Sequence, residues 1–140
     1  INIFLLLLIT PLDLSIAKCF FTTNIEVHII NKLPSNLLPL QINCKSKDDD
    51  LGYQRLAVDG DYHWRFCENF SESTLFYCDF QWGIKYKVFD VFNNPTSCLK
   101  DKRLTRNFLE YCKWEVRSDG FYLEQYNGTD YYMYKYWEWF

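Results

Sequence analysis

The sequence lacks what most helical, membrane-spanning or catalytic proteins carry. Its longest apolar run, Ile3 to Ile9, is far short of the about 20 residues that cross a bilayer, so no membrane span is expected. Alanine is scarce while aromatic residues make up 20% of the chain, a balance that favours strands over helices. No Gly-x-Ser-x-Gly elbow and no His-Glu-x-x-His pair occurs. The only two histidines, His28 and His63, sit in alternating stretches and are expected on half-wet strand faces. No Cys-x-x-Cys spacing is present, which argues against a structural zinc, and neither a metal nor another cofactor is expected. A net charge of -3 without a dense basic cluster argues against nucleic acid as a partner.

What is present reads as an exported domain. The chain starts Ile1-Asn2 without Met, so the first residues of a precursor are expected to be missing. The apolar run followed by Ser15-Ile16-Ala17 suits a secretory signal cut after Ala17. Residues 1–17 are therefore read as a signal peptide and 18–140 as one domain with an aromatic C-terminal segment. Six cysteines behind such a leader imply disulfides. Asn69-Phe70-Ser71 and Asn127-Gly128-Thr129 are glycosylation sequons.

Alternation marks the strands. Val27 and Ile29 share one face, and Glu26, His28 and Ile30 the other. Leu40, Ile42 and Cys44 face inward; so do Phe76, Cys78, Phe80 and Trp82, and later Cys112, Trp114 and Val116. Tyr62, Trp64 and Phe66 oppose His63 and Arg65. Asp59-Gly60 and Asp119-Gly120 are turn signals of the kind that close hairpins. Only residues 97–111 hint at helix, and they are read as a loop with a little of it. The expected fold is all-β: a small disulfide-stapled antiparallel β-sandwich of about eight strands.

These residues resemble a known family. Ile29-Ile30-Asn31-Lys32-Leu33, Cys44-Lys45-Ser46-Lys47-Asp48-Asp49-Asp50-Leu51-Gly52 and Trp64-Arg65-Phe66 are similar to the plant self-incompatibility proteins, the S-protein homologues. So are Thr74 through Trp82, Phe89-Asp90-Val91-Phe92, Cys112-Lys113-Trp114 and Gly120-Phe121-Tyr122, in order from about Glu26 to Tyr126. The resemblance implies a secreted β-sandwich with a ligand role, as in pollen recognition by the pistil, and no catalytic residues. The chain departs from the family pattern at Asn43, where many relatives have His. It also departs in its extra cysteines Cys19 and Cys67, in the basic insert between Cys98 and Cys112, and in its aromatic tail.

Four of the cysteines, Cys44, Cys78, Cys98 and Cys112, allow three pairings, and the sequence does not choose among them. Their inward faces suit bridges between sheets, Cys44–Cys112 with Cys78–Cys98, and Cys19–Cys67 as an optional third. Asp48, Asp49 and Asp50 cannot all face a core; the cluster suits a solvated turn, a basic receptor surface or a calcium ion. With Lys100, Lys102, Arg103 and Arg106 it forms the candidate receptor contact. The expected function is a secreted signalling ligand for a cell-surface receptor protein. The alternative is a secreted carbohydrate or cell-wall binding module, for which Trp137 and Trp139 are the best candidate platforms. A hydrolase using paired carboxylates is the third reading.

Overall fold

The computed structural model describes residue 19 and residues 24–68, 74–93, 98–100 and 109–140. The expected signal peptide, residues 1–17, lies outside the described residues. Ten strands fill most of the described chain: β1 (Asn24–Asn31), β2 (Leu40–Lys45), β3 (Asp50–Leu56), β4 (Asp61–Cys67), β5 (Leu75–Trp82), β6 (Lys85–Asn93), β7 (Leu99–Lys100), β8 (Leu109–Arg117), β9 (Gly120–Tyr126) and β10 (Tyr131–Trp137). They form two sheets. The first runs β10-β9-β8-β1-β4, with β7 also on β8, and the second runs β3-β2-β5-β6.

The sheets pack face to face through the alternating apolar residues read from the sequence. Ile25, Val27 and Ile29 of β1 are fully buried, as are Leu40, Ile42 and Cys44 of β2. Phe80 and Phe89 come from the second sheet and Phe121 from the first, with ring centroids 4.9 to 5.1 Å apart. Trp114 adds a fourth ring, 4.9 Å from Phe89, and its indole N–H donates across the core to the Val91 carbonyl at 3.0 Å. Asn31 is the most deeply buried of the four buried polar residues among those described, and both ends of its side-chain amide are bonded. Its amide donates to the Leu56 carbonyl at 2.8 Å, and its side-chain oxygen accepts the Leu33 N–H at 2.9 Å.

Several expectations change. β1 pairs parallel with β8, so the sandwich is not wholly antiparallel. The Asp59-Gly60 turn closes no hairpin, because β3 and β4 belong to different sheets. Asp59 holds a positive φ there and its N–H donates to the Asn31 carbonyl, so the turn instead folds over the end of β1. The two-residue loop between β8 and β9 is Ser118-Asp119, since Gly120 already pairs with Arg117. A side chain at Gly120 would meet the Trp137 carbonyl at 2.2 Å. The hint of helix over 97–111 is also corrected where it is described: Leu99 and Lys100 pair with Tyr111 and Glu110 of β8. Residues 101–108 lie outside the described residues.

The expected bridges between sheets are corrected too. Cys44 and Cys78 stand directly opposite each other on β2 and β5 of one sheet and are joined there. Cys98, just before β7, joins Cys112 of β8. Cys19 joins Cys67 at the end of β4. Inward alternation put Cys44, Cys78 and Cys112 in the core, where all three are buried, but did not say which strands neighbour one another. Register decides it, because only directly facing or adjacent strands bring Cα atoms within bonding reach.

Truncating Phe121 to Ala should cost about 3–5 kcal/mol, read as a lower urea midpoint. Non-reducing peptide mapping should recover Cys44 with Cys78 and Cys98 with Cys112. The double substitution C44A/C78A should lose about 2–4 kcal/mol of stability.

Candidate functional site

The acidic corner is a tight connection between β2 and β3. The Ser46 N–H donates to the Asp49 carbonyl at 2.7 Å, and the Ser46 hydroxyl accepts the Asp49 N–H at 3.1 Å. Asp50 is exposed but tied locally: its carboxylate accepts the Gly52 N–H at 2.9 Å and lies 3.7 Å from the Lys45 ammonium. Gly52 takes φ 77° where Leu51 and Gly52 together oppose Cys44, a bulge that favours glycine. Asp48 and Asp49 remain exposed, with no side-chain partner among the described residues.

Beside them opens a cleft of about 500 Å³, lined by Ser46, Lys47, Asp48, Asp49, Phe66, Cys67 and Thr74 through Tyr77. Its floor is aromatic. Phe66 and Phe76 lie with centroids 4.6 Å apart, and Phe92 closes on Phe66 at 5.1 Å. The sequence reading treated Phe66 and Phe76 as core alone. Their position at the outer ends of β4 and β5 makes them floor as well, and nearness to a polar loop is the signal that could have found them.

Register brings other features to the same end of the sandwich. Asn24 of β1 faces Cys67 of β4 and Leu109 of β8, and Leu75 of β5 faces Asn93 of β6. The backbone of Lys100, paired with Glu110, stands at this end as well. Lys102, Arg103 and Arg106 lie outside the described residues, as does Asn69. Asn127 is exposed in the β9–β10 turn, where its side-chain oxygen accepts the N–H groups of Thr129 and Asp130 at 2.8 Å.

The opposite end is closed by the tail. Trp139 packs on Phe121 at 4.5 Å and donates its indole N–H to the Arg117 carbonyl at 2.9 Å. The Phe140 N–H reaches the Tyr86 carbonyl of β6 at 3.0 Å. Lys87, nearly buried, points its ammonium at the rings of Phe140 and Trp137, 3.9 and 5.0 Å from their centres. Trp137 and Trp139 are thus engaged within the fold. The exposed aromatics of β10 are Tyr131, Tyr132, Tyr134 and Tyr136, together with Trp137, which keeps 41% of its surface open despite these contacts.

The outward face of β1 and β4 is a ladder of charges. Arg65 donates twice to Glu26, and Glu26 accepts from His28 Nε2. Burial pushes the Glu26 carboxyl upward, but the hydrogen bonds and charges of Arg65 and His28 outweigh it and hold it below its ordinary range.

Comparison with known proteins follows the same outline. The family model described as plant self-incompatibility protein S1 matches residues 26–137. Self-incompatibility protein S1 of Papaver rhoeas is 34% identical over 121 residues, 86% of this chain and 82% of that protein. S-protein homolog 5 of Arabidopsis thaliana is 39% identical over 82 residues, 59% of this chain and 58% of its own length. S-protein homolog 6 of the same plant is 40% identical, with 56% of its length matched. The chain therefore spans less than two thirds of the length of these two Arabidopsis relatives. A solved structure described as a self-incompatibility protein homologue, of "a widespread family of small, highly stable, secreted proteins from plants", superposes with a TM-score of 0.59. It shares 18% identity and covers 86% of this chain and 98% of its own, a likeness of fold.

A carboxyl held low in the folded state adds stability above its unfolded value and loses it as pH falls through the folded one. Wild type should therefore exceed E26Q in urea midpoint at neutral pH, and the gap should close as pH drops below the carboxylate range.

Proposed function

The chain belongs to the plant self-incompatibility protein S1 family, and on that footing we propose that it is a secreted signalling ligand. It binds a cell-surface receptor protein through the loops at its acidic end. The observation that carries this reading is the pair Asp48 and Asp49. Their unpaired carboxylates stand on the rim of a cleft floored by Phe66 and Phe76. Exposed carboxylates beside an aromatic floor suit a partner segment with basic residues around an apolar anchor. The scaffold beneath is rigid, and rigid scaffolds with loops at one end are a common way to present a recognition surface. The basic segment with Lys100, Lys102, Arg103 and Arg106 is assigned to the same contact. Pollen–pistil recognition is one setting for such a ligand.

This reading makes the protein a binder rather than an enzyme, in keeping with a family that is not an enzyme family. The alternative, a carbohydrate or cell-wall module, rests on the exposed aromatics of β10, its four tyrosines and the candidate platform Trp137. A glycan array without binding removes it.

Cell-surface binding of the labelled protein tests the ligand reading. D48N/D49N should weaken binding about fivefold or more at low salt, with the difference shrinking as ionic strength rises. The melting temperature should not move. Neutralising Lys100, Lys102, Arg103 and Arg106 should weaken binding similarly. Unchanged binding in both folded variants would discard the loop model.

A further inference from the structure

The outward face of β1 and β4 holds a cluster that the ligand reading does not use. His28 and His63 are directly opposite across the strand pair, with rings stacked and centroids 4.8 Å apart. Asp61 precedes His63 by two residues on β4 and therefore shares its face. One oxygen of Asp61 lies 2.9 Å from His28 Nδ1 and 3.5 Å from His63 Nδ1. One ligand atom from each of the three residues lies within 4.8 Å of the others. We propose that His28, Asp61 and His63 form a binding site for a divalent first-row transition ion, with Zn²⁺ as its probe.

The donor set favours this class of ion. Two imidazoles and one carboxylate suit zinc, nickel or copper, whereas calcium and magnesium take oxygen ligands. Zinc bonds of about 2.0–2.1 Å put tetrahedral ligand atoms about 3.4 Å apart. The two separations measured from Asp61 fall on either side of that value. The widest separation, up to 4.8 Å, closes by rotation of His63, whose side chain is 56% exposed.

The surroundings are built for a metal-ligating histidine. Glu26 takes the Nε2–H of His28, which leaves Nδ1 to coordinate. Arg65 in turn holds the other oxygen of Glu26. A carboxylate behind a histidine fixes its tautomer and orientation at metal sites. The neighbouring cations are already engaged. Lys113 of β8, opposite His28 on its other side, pairs with Glu124 at 3.4 Å, and Arg65 is on Glu26. Two histidines placed directly opposite are a poor pair when both are charged, since like charges across a strand pair repel. An ion between them turns that cost into a binding site. The remaining coordination positions face solvent.

Titration calorimetry of the tag-free protein with Zn²⁺ should give one saturable site of micromolar affinity or tighter. The imidazole resonances of His28 and His63 should both move with zinc in NMR spectra of the unmutated protein. H28A and H63A should each abolish the site with the melting temperature of the apo-protein little changed. E26Q should weaken zinc affinity about 10–100-fold, as loss of a supporting carboxylate does. No saturable binding, or binding that survives H28A/H63A, overturns the proposal. So does zinc binding that moves neither imidazole, a result that stands even where a variant fails to fold.

Discussion

The two sheets are held together by apolar packing centred on four aromatic rings. Phe80 and Phe89 from one sheet meet Phe121 and Trp114 from the other, and the three disulfides among the described residues add no link across that seam. Cys44–Cys78 lies within one sheet, while Cys98–Cys112 and Cys19–Cys67 each tie a segment to the other. Covalent bonds here restrain local pairings and segment ends, and apolar burial sets the relation between layers. A core of stacked and tilted aromatics suits that role, because each ring buries a large area in few conformations.

That arrangement leaves the two ends of the sandwich with different characters. The tail fills one end, where Trp139 lies on Phe121 and Phe140 bonds to β6. At the other end the β2–β3 connection turns back within four residues, Ser46 to Asp49, and leaves two carboxylates beside an open cleft. Local hydrogen bonds from Ser46 and the bulge at Gly52 hold the acidic corner in shape, so recognition there would cost little ordering.

Much of this was legible in the residues. Alternation correctly divided Val27 and Ile29 from Glu26 and His28, and Phe76, Cys78 and Phe80 from their neighbours. It reports which way a side chain points, and nothing about which strand lies alongside. For that reason the partners of Cys44, Cys78, Cys98 and Cys112 and the hairpin expected at Asp59-Gly60 did not follow, whereas Cys19 with Cys67 did. A turn signal specifies a local change of direction, and at Asp59 that change carries the chain from one sheet to the other. The cleft was illegible for a related reason. Phe66 and Phe76 satisfy the core pattern, and only their place at strand ends makes them a surface as well. The stacking of His28 on His63 depended likewise on register between strands far apart in sequence.

The parallel pairing of β1 with β8 has a consequence for biogenesis. The earliest strand among the described residues sits inside the larger sheet, between the edge strand β4 and a strand made much later. A polypeptide made from its N-terminus therefore carries β1 half-matched until β8 has been made. Distant pairings of this kind are slow to form and leave sticky edges open meanwhile. Completion of the larger sheet is thus timed by the arrival of the chain's last third.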